Sequence, residues 1–551
     1  MKRALSILLC LMLVLSMATT AFADDEVPAA ANDVTVTINN AAVGSTYALY
    51  RILESNSDGT AFGYATNDKY NSIYYALFSS TDDSAIINGF TSAGKSGAPA
   101  LAESFYNAIL AYNVTATNKI EADATVTITA DTNSVVVPQG YYLIVETQNG
   151  TDKQDTFSLY MMDTAGKNGL TISSKESAPT LEKTVYNDND SKNDSDHQSW
   201  SEHANYDVGD TVSYKIIVKP SGSYASYKTY HIAVEDTMDA GLKYNGDLTV
   251  HVGNLNGPDI TEFFTVERED DSGFKVSGDL KKVTYKIKTT NDAGEEVEVE
   301  RTLSHNSDVV FKYTATLTDA AKVGDEGNKN GAKLFYQNNP YVEYTPETEL
   351  GETPEDETVV HTFKLIVHKV DENNEPLEGI GFTLYKYDDV TTDSFVALGE
   401  KHSDAEGNII FNGLDEGIYK LEETDLAGKP YNKADDIEFH IHATYDNSNP
   451  GHLVKLEAIG DNNAVLGSAT YDPTAQTTGE DDGIDTQADT LFTVTLNKTQ
   501  ADLEVTIVNR TGTELPETGG MGTTLIYIAG GILVLAAVIL LVTKKRMANA
   551  E

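Results

Sequence analysis

The chain has 551 residues, 85 of them acidic and 39 basic, for a formal net charge of −46. That length is too great for one core and calls for several domains, and the charge excludes a general binder of nucleic acid or anionic membrane. The single cysteine, Cys10, lies near the N-terminus, so the rest of the chain has no disulfide staples.

Residues 1–23 carry Lys2 and Arg3, the apolar run LSILLCLMLVLSM and the small-residue exit AFA. This is the pattern of a secretory signal peptide, with an apolar core too short to span a bilayer. An exported chain without cysteines needs either large domains or another covalent bond. Downstream, DVTVTIN (33–39), DTVSYKIIVK (210–219), FKLIVHKV (363–370) and ADLEVTIVN (501–509) alternate apolar and polar residues and are rich in Val, Ile, Thr and Tyr. Such segments read as strands of antiparallel sheets. One stretch differs: APALAESFYNAILAY (98–112) puts Leu101, Phe105, Ala108 and Ile109 on one helical face and predicts a helix inserted in the first domain.

Two proline-bearing stretches read as linkers, KESAPTLEK (175–183) and the acidic TPETELGETPEDETVVH (345–361). They divide the exported chain into units at 24–176, 177–360 and 361–512, each of single-domain size. Residues 513–551 close the chain with the apolar run TTLIYIAGGILVLAAVILLVT (523–543), followed by Lys544, Lys545 and Arg546. That run is long enough to cross a bilayer, with the cationic tail on the cytoplasmic side.

In the third unit, the period of two puts Phe363, Leu365, Val367 and Lys369 on one face of the opening strand. The closing strand does the same with Leu503, Val505, Ile507 and Asn509, and YKLEET supplies Tyr419, Leu421 and Glu423. A lysine, a carboxyl and a carboxamide directed into one core are costly unless they satisfy one another. Burial lowers the amine pKa and raises that of the acid, so a neutral amine can face a protonated carboxyl. The acid then polarises the amide, the amine attacks it and ammonia leaves, joining Lys369 to Asn509. From pattern alone, a strand-end lysine that reaches water and a turn asparagine remain the simpler reading.

Resemblance favours the crosslink. The first-strand Lys369, the Tyr-x-Leu-x-Glu-Thr box with Glu423 and the last-strand Asn509 make this unit similar to a collagen-adhesin B-type domain. The second unit resembles the isopeptide-forming fimbrial domain (A-type) of the same family. Its LEKTV opening offers Lys183, AVEDTMDAGLKY offers Asp236 as the promoting carboxyl, and GNKNGAKLFYQNNP offers Asn330, favoured over Asn338, as the acceptor. The first unit has the box YLIVET with Glu146 but no lysine in its opening strand, so Glu146 is expected to make a structural hydrogen bond instead of a crosslink.

LPETG, residues Leu515, Pro516, Glu517, Thr518 and Gly519, precedes the apolar run and basic tail and resembles the cell-wall sorting signal of Gram-positive bacteria. The resemblance implies cleavage after Thr518 by a sortase, of the pilus-specific class C type, and transfer to an amine. In GLTISSKESAPTLEKTV, Lys175 stands where shaft pilins carry the acceptor lysine, although Ser173 and Ser174 replace the usual Tyr-Pro pair.

The resemblance therefore implies an all-β chain of three tandem immunoglobulin-like β-sandwich domains. It would be the shaft subunit of a covalent cell-wall pilus, with identical subunits, accessory pilins and peptidoglycan as partners. The alternatives are a wall-anchored monomeric adhesin with a host ligand, or an accessory tip or base pilin. DNDSKNDSD (188–196) lacks the Gly and terminal Glu of a calcium loop. His440 and His442 share a strand face without a third ligand in view. No nucleophile triad, phosphate loop or zinc spacing appears, so neither a turnover enzyme, a metal nor a cofactor is expected.

Overall fold

The computed structural model describes residues 33–57, 62–150, 155–174, 177–187, 199–291, 294–388, 392–474 and 491–512. The signal peptide, the sorting signal with its apolar run, and Lys175 lie outside the described residues. Among the described residues no helix is long and apolar enough to cross a membrane.

The chain is mostly β-sheet, arranged as three successive sandwiches. In the first, strand Asp33–Asn39 lies between antiparallel Ser134–Pro138 and parallel Gly169–Ser173. Its inward row, Val34, Val36 and Ile38, packs on Tyr47, Leu49, Tyr142 and Ile144 of a five-stranded sheet. That second sheet is covered on its other face too, where Ala48, Tyr50, Leu143 and Val145 meet two helices. Cover on both faces explains why strand Gly140–Gln148 shows a nearly continuous buried run where a half-exposed strand would alternate.

The helical insertion is larger than the pattern at 98–112 predicts. A short helix, Asn71–Phe78, precedes a long one, Asp83–Thr115, which is broken at Gly94 with φ +59° and ψ −173°. Only glycine adopts that backbone without strain. Asp82 caps the start by accepting from the Ala85 backbone N–H at 3.0 Å. The extra turns bury Ile86 and Phe90, and the predicted segment buries Phe105 and Ile109 with Leu101 and Ala108 at the margin. Gly89, Gly94 and Gly97 weaken the local helix signal, and packing against the sheet overrides it.

In the second sandwich, strands Thr180–Asn187, Thr211–Lys219 and Val309–Leu317 lie side by side in one sheet. The facing sheet places Asn328–Tyr336 between His231–Met238 and Asp356–His361. A charged hairpin, Thr284–Thr290 with Glu296–Thr302, pairs only with itself. The acidic stretch 345–361 is not a free linker. Its last six residues form strand Asp356–His361, with Thr358, Val360 and His361 fully buried. Acidic residues at its start and an apolar, β-branched stretch after them let this strand bury its last four residues while Asp356 and Glu357 stay partly exposed.

The third sandwich follows after Thr362. Strand Phe363–Asp371 runs parallel to the closing strand Ala501–Asn509 in a four-stranded sheet. A six-stranded sheet covers it and includes Gly417–Asp425 and Ile437–Tyr445. The second and third units also meet through polar contacts. Lys386 Nζ lies 2.7 Å from Asp207, the Val208 N–H donates to the Gly413 carbonyl at 2.9 Å, and the Leu453 N–H donates to Asp325 at 2.8 Å.

Phe105 is fully buried and packs against Tyr70, Tyr74 and Phe90, with ring centroids 5.8 to 6.1 Å away. Phe105→Ala should destabilise the first unit by about 3–5 kcal/mol. Its urea midpoint would fall while the transition of the third unit stays in place.

Candidate crosslinking sites

In the third unit, the alternation that buries Leu365 and Val367 continues to Lys369, which has no exposed surface. Lys369 faces Ile507 across the parallel pair, and Asn509 is the next inward residue on that partner strand. Glu423 comes from the opposite sheet. Its Oε1 accepts from Asn509 Nδ2 at 2.8 Å and lies 3.8 Å from Lys369 Nζ, while its Oε2 accepts from the Ala434 N–H at 2.7 Å. The amine donates to the Ile507 carbonyl at 2.9 Å. Burial pushes the Lys369 ammonium down to about 8, against the attraction of Glu423. That shift enlarges the neutral fraction of the amine, which sits beside a carboxyl that already holds the carboxamide.

The second unit assembles the same three groups by a different route. Lys183 belongs to one sheet, whereas Asp236 and Asn330 belong to neighbouring strands of the facing one. All three are fully buried. The Lys183 amine donates to Asp236 Oδ2 and, at 2.6 Å, to the Tyr313 hydroxyl. Tyr313 in turn donates to Asp236 Oδ2 at 2.5 Å and accepts from Asn330 Nδ2 at 3.3 Å, so one hydroxyl touches every member of the cluster. Tyr214 stacks on Tyr313 with centroids 5.4 Å apart, and the amine lies 5.2 Å and 5.3 Å from the two ring centroids. Burial pushes Lys183 down and Asp236 up, and their mutual attraction opposes both shifts. Those are the directions that favour a neutral amine beside a protonated acid.

Asn338 lies beyond the end of strand Asn328–Tyr336, and its carbonyl accepts from the Phe157 N–H of the first unit at 2.9 Å. Asn330, by contrast, shares the Tyr313 hydroxyl with both Lys183 and Asp236. The Oδ1 atoms of Asp236, Asn330 and Asn509 are buried without a hydrogen-bond partner among the described residues. Orphaned buried acceptors cost about 1–3 kcal/mol each. Both orphaned amide oxygens are the atoms that a protonated carboxyl would polarise.

The first unit has the frame without the reactants. Ile38 faces Ile172 across its parallel pair, as Lys369 faces Ile507. Ser174, two residues beyond Ile172, holds the place of Asn509. Glu146 is buried in the matching position and accepts from the Ser158 N–H at 3.0 Å. Tyr47 donates to Ser174 Oγ at 3.0 Å, and Ser158 Oγ lies 3.3 Å from it. Glu146 thus sits among hydroxyls, and among the described residues no lysine amine is paired with it.

Residues 363–449, which contain Lys369 and Glu423, match the family described as SpaA, a prealbumin-like fold domain. Across 413 residues the chain is 25% identical to the trypsin-resistant surface T6 protein of Streptococcus pyogenes serotype M6, a match that spans 69% of this chain and 71% of the relative. In fold it is similar to the solved T6 backbone pilin of serotype M6 Streptococcus pyogenes, with a TM-score of 0.51 and 19% identity over 90% of this chain and 100% of that one. The chain resembles Gram-positive backbone pilins.

Within this pilin-like frame, parity and family resemblance together pointed to the lysines, carboxyls and asparagines but passed over Tyr313 and Tyr214. Both tyrosines lie on inward rows, Tyr313 with Phe311 and Ala315, and Tyr214 with Val212 and Ile216. Alternation marked them only as core. The structure also brings Glu416 up to His440 and His442, a third potential ligand that sequence spacing did not show.

Burial raises the Glu146 carboxyl from its ordinary 4.5 to about 7, against the hydrogen bond from the Ser158 N–H. The folded state therefore holds a proton that the unfolded state has released between these two values. The resulting stability is fully present below about 4.5 and is lost as pH rises through about 7, a change on the order of 3 kcal/mol. Calorimetry should show the first unit melting at a higher temperature at pH 5 than at pH 8. Glu146→Gln should flatten that dependence.

Proposed function

We propose that the chain is the shaft subunit of a covalent surface pilus, assembled from identical subunits and stiffened by bonds that it forms within itself. The observation that carries this reading is the pair of fully buried clusters, Lys183–Asp236–Asn330 and Lys369–Glu423–Asn509. The similarity to the T6 backbone pilin supports the same reading.

In each cluster the neutral lysine Nζ attacks the asparagine Cγ while Asp236 or Glu423 donates a proton to the amide oxygen. The new Cγ–Nζ bond forms, the Cγ–Nδ2 bond breaks, and Nδ2 leaves as ammonia. No oxidant is consumed, and each carboxyl ends in the state in which it began. Tyr313, in contact with amine, acid and amide, would relay a proton between them in the second unit. Closing a loop of about 140 residues removes unfolded-state entropy worth about 5 kcal/mol, by analogy with disulfides.

Assembly between subunits uses the terminal signal. A pilus sortase cleaves between Thr518 and Gly519, holds Thr518 as a thioester and passes it to the amine of Lys175 in the next subunit. The last subunit is transferred to peptidoglycan. The chain itself catalyses nothing beyond its own single-turnover crosslinks.

Mass spectrometry of the intact chain should fall short of the sequence mass by about 17 Da for each crosslink. Asp236→Ala and Glu423→Ala should each restore one such loss, and an undiminished wild-type mass would sink the crosslinks. In boiled cell-wall extracts, the wild-type protein should run as a ladder that collapses to a monomer band in Lys175→Ala. A ladder that survives that change would move the acceptor elsewhere. In the first unit, the combined Ile38→Lys and Ser174→Asn changes supply the missing reactants around Glu146. The chain should then lose a further 17 Da or so, and should not do so when Glu146→Ala is added.

A further inference from the structure

Strand Ile437–Tyr445 places His440 and His442 two residues apart on the face of its sheet that points away from the core. Glu416 lies in the tight turn between strands Asn408–Leu414 and Gly417–Asp425. The topology brings that turn alongside the two histidines. One ring nitrogen from each histidine and one Glu416 oxygen all lie within 4.8 Å of one another. The nearest pair is His442 Nδ1 and Glu416 Oε1, at 2.5 Å.

The carboxylate is not a loose surface group. Glu416 is 1% exposed, and strand His203–Asn205 of the second unit reaches it through Asn205. Asn205, itself 1% exposed, donates from Nδ2 to Glu416 Oε2 at 3.0 Å. The other end of the Asn205 carboxamide accepts from the Tyr445 hydroxyl, and the Tyr445 ring stacks on His203 with centroids 4.0 Å apart. One oxygen of Glu416 is therefore fixed by the second unit, and the other is turned toward the histidines of the third.

We propose that Glu416, His440 and His442 bind one zinc ion at the junction of the second and third units, and that the ion secures the relative pose of the two. Two imidazoles and a carboxylate form a mixed nitrogen and oxygen set that suits Zn²⁺, whereas Ca²⁺ and Mg²⁺ require oxygen ligands. Bonds of about 2.0–2.2 Å in a tetrahedron hold ligand atoms roughly 3.3 Å apart, so the widest pair must close by on the order of 1.5 Å. The His442 side chain is 29% exposed, which gives the ion a path from solvent and leaves the fourth position to water. Asn205 acts one step behind the ion by orienting the carboxylate, as hydrogen-bond partners of metal ligands do. Because Asn205 belongs to the second unit and all three ligands to the third, ion affinity depends on how the two units sit together.

The test is titration of the full chain, held in detergent micelles, with Zn²⁺ alone. One ion should bind per chain well above the weak background expected of an acidic surface, and Co²⁺ in its place should give the intense visible absorption of a tetrahedral site. His440→Gln and His442→Gln should each weaken binding by more than about 100-fold, and Asn205→Ala by about 10- to 100-fold. Both histidines are at least partly exposed, so these variants should keep the wild-type calorimetric trace without metal. Absence of a single strong site on the wild-type chain overturns the proposal, as does wild-type affinity in both histidine variants. Wild-type affinity in Asn205→Ala overturns the coupling to the junction. The crosslink masses are independent of these changes, so failure here leaves the fibre reading to its own test.

Discussion

A lysine amine with no exposed surface, placed where a strand has just finished burying valines and leucines, is the constraint on which the structure turns. Charged and isolated, such a group would cost far more than the core around it contributes. The chain meets that cost twice by delivering a carboxyl and a carboxamide to the same point. It does so with two different geometries. In the third unit the amine and amide come from adjacent strands and the acid from across the core. In the second unit the amine faces an acid and an amide that are neighbours in the opposite sheet, with Tyr313 between them. A crosslink of the first kind fastens two strands within a sheet, and one of the second kind fastens the two sheets to each other.

Strand order gives these positions mechanical meaning. In the first and third units the opening and closing strands run parallel as hydrogen-bonded neighbours. Tension applied at the two ends of such a unit loads the whole ladder in shear, so bonds must fail together instead of one at a time. In the third unit the candidate bond lies between those same two strands, so the load path through it is short and largely bypasses the remaining sheet. The acidic composition fits the proposed role: a net charge of −46 opposes casual association between copies of the chain.

Much of this was legible because a strand has a period of two. Lys369, Glu423 and Asn509 each end an apolar row, which made them candidates for one core, and family resemblance tipped the reading toward a crosslink. Lys183 was visible for the same reason, whereas Asp236 came from the likeness of AVEDTMDAGLKY to a motif of the fimbrial domain. Choosing between Asn330 and Asn338 needed register, since both share a parity and only the former pairs opposite Met238, within reach of Tyr313. What alternation cannot do is separate a working aromatic from a packing one, and Tyr313 was passed over on that account. The acidic run before His361 looked like a linker because composition averages over a stretch, whereas burial is decided residue by residue along Asp356–His361. The first half of the long helix was hidden by its glycines. Glu416 was out of view because a turn residue has no periodicity, and its neighbours are set by the docking of another unit.

Ile38 and Ser174 stand where the third unit has Lys369 and Asn509, and that substitution sets the first unit apart from its neighbours. In a polymer of such chains, two of every three segments would be inextensible and the remaining one could pay out slack. When tension exceeded what its sheets hold, the first unit would lengthen and dissipate the work of a sudden pull, then refold when the strain was relieved. The fibre would then behave as a chain of rigid rods joined by reusable dampers.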